Sequence, residues 1–338
     1  MNLKDGKYSR YKLVQEMMQT PEVIRRFDPQ AARAFLPALK ASRRLFLTGE
    51  GSSRIFPAKH AIYDSLRKAD AVAIATDGAT QALEYDLGAY TVFGASNSGK
   101  TKEVVRLFQL LKAKGHRALF ALTAYEDSPL DRLAADSQIL VSGKEEAVAA
   151  TKTVVEQALF YDSLLRALRG EAMDGLKELA DKVEAALSLA IDPGLVNRAK
   201  EASTIYFAGR NTGVAEELTL KTNEITRRKA DFLEGTYAVH GIEEVMDARE
   251  LVVVVEPFES EEEKFRECLI EGVGLEVCAI STRKTTFPTV LIPEAGDYRS
   301  YVEIAAGWNL LVEIGIALGI DLDKPERARK VGNIYQGS

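Results

Sequence analysis

The sequence predicts an α/β protein made of two copies of one parallel-sheet unit. Three observations carry that expectation. Apolar runs of about five residues alternate with longer helical patterns, which is how strands buried on both faces read. The run Ile205-Tyr206-Phe207-Ala208-Gly209 repeats Leu45-Phe46-Leu47-Thr48-Gly49 at an offset of 160 positions (205 − 45). The chain has 338 residues, more than one hydrophobic core usually organises.

Taken in order, residues 8–27 read as a helix with Tyr11, Leu13, Val14, Met17 and Met18 on its apolar face. Within it, Thr20-Pro21 looks like a cap and a first helical position. A second helix is expected over residues 29–42. Residues 45–48 form the first strand and run into Gly49-Glu50-Gly51-Ser52-Ser53, with a helix following over about 57–68. Strands are expected at 71–75, 90–94, 118–123 and 137–141, with helices between most of them. Residues 153–190 carry a helical pattern without a strand signal. The scheme then restarts, with strands at 205–209, 252–256 and 275–281, a helix over 263–272, and a last helix from Glu303-Ile304-Ala305-Ala306. The expected division is an N-terminal helical segment at 1–42, a first domain at 43–170, a helical connector at 171–198 and a second domain at 199–338.

Composition excludes several classes of function. Hydrophobic residues make up 46% and charged residues 28%, the balance of a soluble globular chain. The net charge is -6 and no basic block occurs, which argues against a nucleic-acid partner. Cys268 and Cys278 sit in apolar-periodic segments outside any metal-ligand spacing, so free buried thiols in a reducing compartment are expected. The first residues lack a signal-peptide pattern and no apolar run approaches a membrane span, so a cytoplasmic protein without a membrane partner is expected.

The chemistry centres on Gly94-Ala95-Ser96-Asn97-Ser98-Gly99-Lys100-Thr101. An apolar strand precedes it and an amphipathic helix follows, the layout in which loop N–H groups and a helix N-terminus converge on an anion. The spacing satisfies G-x-x-x-x-G-K-[ST], so one possibility is a nucleotide loop with Lys100 on phosphates and Thr101 on magnesium. Such a site needs an acidic residue at a neighbouring strand end; Asp127 is the best local candidate but trails its strand by several residues. The alternative rests on hydroxyls. Ser52, Ser53, Ser96, Ser98 and Thr101 lie at the C-terminal ends of two strands, where open α/β sheets bind ligands. Each alone is as readily a helix cap. Together they suit a phosphate monoester on a small molecule, without a metal or other cofactor. In the second copy Glu256-Pro257-Phe258-Glu259 takes the place of the serine loop, and an acidic loop is a poor phosphate cradle.

These pieces resemble the sugar isomerase (SIS) domain, doubled as in the isomerase half of glucosamine-6-phosphate synthase. The resemblance rests on Gly51-Ser52-Ser53, Ser96-Asn97-Ser98-Gly99-Lys100-Thr101 and Val148-Ala149-Ala150-Thr151-Lys152. In the second copy it rests on Leu220-Lys221-Thr222-Asn223-Glu224, His240-Gly241 and Asp321-Leu322-Asp323-Lys324-Pro325 with Ala328-Arg329-Lys330. It covers almost the whole chain, including Gln15-Glu16 and Thr20-Pro21. It implies two tandem SIS domains, each a parallel-sheet α-β-α sandwich of flavodoxin-like type, behind N-terminal helices.

The resemblance also implies roles. Ser53, Ser96, Asn97, Ser98 and Thr101 would hold a sugar phosphate, and Val148 would line the sugar site. Lys221 and Glu224 are three apart, so on a helix they share a face. A carboxylate beside an ammonium suits proton transfer between C1 and C2 of an open-chain sugar, with Glu224 as the base. The ordinary alternative is a solvated helix ion pair. His240 lies 16 positions after Glu224 (240 − 224), the family's spacing for a ring-opening histidine that comes from the neighbouring subunit. A homodimer follows from that. His60 and His116 are expected to be structural or solvent-facing. Lys330 matches a tail lysine that closes over the sugar. Departures from the family pattern are Asn97 for glutamine, Lys100 for glutamate and Ala150 for serine.

The expected activity is aldose–ketose isomerisation, or deamination of an amino-sugar 6-phosphate. A fructosamine-phosphate deglycase and a non-catalytic sugar-phosphate sensor are the alternatives. With neither a glutaminase domain nor an N-terminal cysteine nucleophile in the sequence, glutamine-fed synthesis is not expected.

Overall fold

The computed structural model describes residues 1–327 and 334–335. Among them, ten strands form two all-parallel sheets. The first comprises β1 (Arg44–Gly49), β2 (Ala73–Gly78), β3 (Thr91–Ala95), β4 (Leu119–Thr123) and β5 (Asp136–Ile139), in the order β2-β1-β3-β4-β5. The second comprises β6 (Thr204–Gly209), β7 (Lys229–Glu234), β8 (Leu251–Val255), β9 (Glu276–Ser281) and β10 (Thr289–Leu291), in the order β10-β9-β8-β6-β7. Counted from its own first strand, the second sheet repeats the order of the first. The expected duplication is therefore present in the topology.

Helices α1 (Gly6–Ser9), α2 (Lys12–Arg26) and α3 (Leu36–Ser42) precede the first sheet. Its crossovers carry α4 (Ile55–Arg67), α5 (Ala79–Ala82), α6 (Lys102–Ala113) and α7 (Pro129–Leu133). Then come α8 (Lys152–Arg169), α9 (Leu176–Leu187), α10 (Pro193–Glu201), α11 (Val214–Thr226), α12 (Glu262–Phe265) and α13 (Arg299–Ala317). The chain divides into two compact units. One holds the first sheet, with Glu22–Glu146, Ala150–Leu176, Ile334 and Tyr335. The other holds Met1–Pro21, Ala147–Ala149 and Lys177–Arg327.

Each unit has its own core. In the first-sheet unit, the central strands β3 and β4 are buried at every position. Helix α6 turns Val104, Val105, Leu107, Phe108 and Leu111 onto the sheet, against Phe46, Val92 and Leu119. That is the i, i+3, i+4 stripe of an amphipathic crossover helix. In the other unit β8 is likewise buried throughout, and Val252 and Val254 pack with Tyr206, Phe265 and Leu269.

Several local expectations are corrected. Pro21 lies inside α2 rather than at a helix start. Residues 29–42 open as a 3₁₀ turn, Ala31–Phe35, before α3 begins. The second strand starts at Ala73, because Ala69 takes a positive φ of 54° and turns the chain. The helical stretch 153–190 breaks at Gly170, left-handed at the end of α8. The helix expected over 263–272 is α12 continued by a π-helical segment, Arg266–Val273. Strands β7 and β10 were not expected; both are edge strands with exposed positions. Both cysteines are free, but only Cys278 is buried; Cys268 is half-buried.

Candidate functional site

Register places the serine loops. Strands β1 and β3 pair with Gly49 opposite Ala95, so the segments after them leave the sheet at one level. The chain crosses to opposite sides after these two strands, which makes this the switch point where such sheets bind ligands. Ser53 is half-buried, closing a 3₁₀ turn, Gly51–Ser53, and Ser52 is buried beside it.

The second loop is tightly specified. Ser96 is buried, with its N–H donating to the Leu122 carbonyl at 2.9 Å and its Oγ 2.7 Å from Thr101 Oγ1. Thr101 is the N-cap of α6, yet its hydroxyl bonds Ser96 instead of capping the helix. The Gly99 N–H closes the loop onto the Ser96 carbonyl at 3.0 Å. At Gly99 φ is +61°, and an added Cβ would lie 2.1 Å from Ser128 Oγ, so only glycine fits. Ser98 is half-buried and its Oγ accepts from the Lys100 N–H at 3.2 Å. Asn97 is committed to the fold: its Nδ2 donates to the Gly143 carbonyl at 2.9 Å and to Thr153 Oγ1 at 3.0 Å. Thr153 in turn donates to the buried Glu145 at 2.6 Å. The departure from glutamine thus ties the cradle to the 143–153 segment.

In the nucleotide pattern Gly94 and Ala95 belong to β3, so the segment between strand and helix is Ser96–Thr101. Lys100 is exposed, and its carbonyl accepts from the Tyr335 N–H at 2.8 Å. Asp127 is exposed, beyond the end of β4, and pairs with Arg132 at 3.8 Å. Among the described residues no three His, Cys, Asp or Glu side chains converge as a metal centre requires.

The other unit carries the ionisable group. On α11, Lys221 is wholly buried and its Nζ lies 2.7 Å from Glu224 Oε2 and 3.2 Å from Glu217 Oε1. The pairing expected at i, i+3 is therefore present, but it is not the solvated pair of an ordinary surface helix. Glu217 is wholly buried too, while the Glu224 side chain is 22% exposed. Glu217 is absent from the expected site residues. Its i, i+4 spacing to Lys221, between Val214 and Leu218, was the available signal. Burial alone would lower the Lys221 pKa; the carboxylates of Glu224 and Glu217 outweigh it and hold the ammonium well above its ordinary range. Packing of α11 on α13 fixes this geometry. Gly307 permits the approach, since a Cβ there would lie 2.4 Å from the Leu218 methyls.

The remaining expected residues lie as follows. His240 is exposed at the end of a 3₁₀ turn, Tyr237–Val239, with Nε2 3.4 Å from Lys264 Nζ. Val148 is half-buried in the short segment Ala147–Ala149, where the Ala147 N–H donates to Glu16 at 3.1 Å. Lys330 lies outside the described residues. His60 is buried against Asp162 at 3.2 Å, and His116 is part-buried against the Leu87 carbonyl at 3.0 Å. Among the described residues no helix is long and apolar enough to cross a membrane.

With this geometry established, known proteins provide the frame. Residues 88–167 match the model of the SIS domain. The match covers 80 of the 338 residues. Over 266 residues it is 28% identical to the glutamine–fructose-6-phosphate aminotransferase (isomerizing) of Xylella fastidiosa, spanning 71% of this chain and 43% of that protein. The chain therefore spans less than half the length of such relatives. In structure it is similar to the C-terminal domain of glucosamine-fructose-6-phosphate aminotransferase from Francisella tularensis. That TM-score is 0.77 at 19% identity, covering 94% of this chain and 98% of the other. It is similar as well to glucosamine-6-phosphate deaminase from Thermotoga maritima, with a TM-score of 0.74 at 19% identity over 96% and 99% of the two chains. At these identities the likeness is one of fold.

Proposed function

We propose that this protein binds a phosphorylated sugar and moves a proton between C1 and C2, isomerising an aldose and a ketose or deaminating an amino-sugar 6-phosphate. The observation that carries this is the Glu217–Lys221–Glu224 group on α11, an ammonium buried between two carboxylates of which only Glu224 reaches the surface. Sequestering a lysine in this way is unfavourable without partners. A protein that merely sensed a sugar phosphate would need the serine loops and not this group.

In the proposed mechanism Ser53, Ser96, Ser98 and Thr101 hold the phosphate by hydroxyls and loop N–H groups, with Asn97 fixing the loop. The N-terminus of α6 adds a favourable dipole. Glu224 takes the proton from one carbon of the open-chain sugar and returns it to its neighbour. Lys221 stays charged beside Glu224 and can stabilise the enediolate or enolamine oxygen. His240 opens the ring from the neighbouring subunit of a homodimer, Val148 lines the sugar, and Lys330 closes over it. The repeated 2-1-3-4-5 strand order supports the flavodoxin-like assignment for both units.

The test is ammonia release from glucosamine 6-phosphate, run beside isomerisation of fructose 6-phosphate. Turnover in one of these is expected, with Glu224→Gln abolishing it while phosphosugar binding survives. Binding without turnover on every phosphosugar tried would favour a sensor instead.

A further inference from the structure

The two units follow one backbone plan, so positions 160 apart can be compared. Ser96 follows β3 and Glu256 follows β8 at that offset (256 − 96). The Ser96 N–H donates to the Leu122 carbonyl at 2.9 Å, and the Glu256 N–H donates to the Ile280 carbonyl at 2.8 Å. Both backbones therefore hold the same place, at the switch point of their sheets. What they present differs. Ser96 offers a hydroxyl, whereas Glu256 offers a carboxylate.

That carboxylate is enclosed by donors. Glu256 is 5% exposed, and its Oε2 accepts from the Thr282 N–H at 2.9 Å. Thr282 Oγ1 donates to Oε1 at 3.2 Å, and the Arg299 guanidinium lies 3.8 Å from the same oxygen while its Nε donates to the neighbouring buried carboxylate of Glu303 at 2.9 Å. Arg210, just past β6, donates to the Glu256 carbonyl and lies over the Phe258 ring at 4.1 Å. A backbone N–H, a hydroxyl and a guanidinium form the donor set of an oxyanion site. Glu256 is also held at a φ of +46°, a conformation that glutamate adopts only when its surroundings impose it.

We propose that the Glu256 carboxylate is an internal ligand that fills an oxyanion site in the second-sheet unit, and that the site takes inorganic phosphate or a phosphate monoester once the carboxylate is removed. In the native chain this leaves the second unit without a phosphate site, although it shares the first unit's architecture. The idea rests on the Ser96 loop being an anion cradle, and the experiment separates the two.

Inorganic phosphate is titrated by calorimetry into the full-length wild type and into Glu256→Ser. The variant is expected to bind one more equivalent per chain than the wild type, and adding Arg299→Gln should remove that extra equivalent. Phosphate should also raise the melting temperature of Glu256→Ser more than that of the wild type, while sodium chloride at equal ionic strength should not. If the wild type binds none and the variant binds one, the first cradle fails and this inference stands. Equal stoichiometry in the two proteins overturns it. If Glu256→Ser does not fold in phosphate-free buffer, phosphate should restore the fold, and its failure to do so overturns the inference equally.

Discussion

Lys221→Met is the perturbation that probes the buried group most sharply. Lys221 and Glu217 are both wholly buried, with their charges 3.2 Å apart. Removing the ammonium leaves the Glu217 carboxylate uncompensated in the interior, and breaking such a pair costs about 3–5 kcal/mol. The bond to Glu224 contributes less, because that side chain reaches solvent. In urea, a loss of about 4 kcal/mol lowers the midpoint by roughly 1–2 M for a slope of about 2–3 kcal/mol/M. The assay is urea unfolding followed by circular dichroism, with Glu217→Gln/Lys221→Met as the companion. The double variant removes both buried charges and should recover more than half of the loss. The pH dependence has a definite sign. Because the folded Lys221 pKa is raised, its stabilisation is full below the ordinary lysine value of about 10.4 and is lost only as pH rises beyond it. A Lys221→Met midpoint indistinguishable from wild type at neutral pH would refute the buried-pair account.

Gly99→Ala should destabilise the first-sheet unit by about 2–4 kcal/mol, combining left-handed strain with the clash against Ser128, and should weaken phosphosugar binding; thermal melts and calorimetry read both. Ser96→Ala removes only the 2.7 Å bond to Thr101, so about 0.5–1.5 kcal/mol of stability is lost. Titration calorimetry should show its phosphosugar affinity falling about tenfold, equivalent to about 1.4 kcal/mol. Glu303 is buried beside Glu256, and burial raises its pKa to about 7 despite Arg299. The folded protein then binds a proton that the unfolded chain has released. The resulting stability is full below about pH 4.3 and declines through pH 7 by an order of a few kcal/mol. Glu303→Gln should flatten that decline in urea melts taken across this range, and an unchanged slope would contradict the assignment.

Much of the architecture was legible because central parallel strands must be apolar on both faces. Val252-Val253-Val254-Val255 and Phe120-Ala121-Leu122 are unambiguous for that reason. Edge strands escape the rule: Lys229–Glu234 alternates polar and apolar residues, and Thr289–Leu291 is too short to register. Pro21 misleads because proline is commonest in a first turn, yet α2 continues through it. At the site, the serine loops and the Lys221–Glu224 spacing were readable from motif and period. Burial was not. The i, i+4 spacing of Glu217 to Lys221 is equally that of a solvated pair until α13 covers α11, and Asn97's commitment to Gly143 and Thr153 depends on contacts distant in sequence.

Proton exchange at carbon tests the central claim most directly. The full-length protein is incubated in D2O with fructose 6-phosphate and with glucosamine 6-phosphate, and the sugars are followed by NMR. A shuttle through Glu224 predicts enzyme-dependent deuterium at C1 of the ketose or C2 of the amino sugar, abolished by Glu224→Gln, whether the net reaction is isomerisation or deamination. Phosphosugar binding with no deuterium incorporated at either carbon would contradict it.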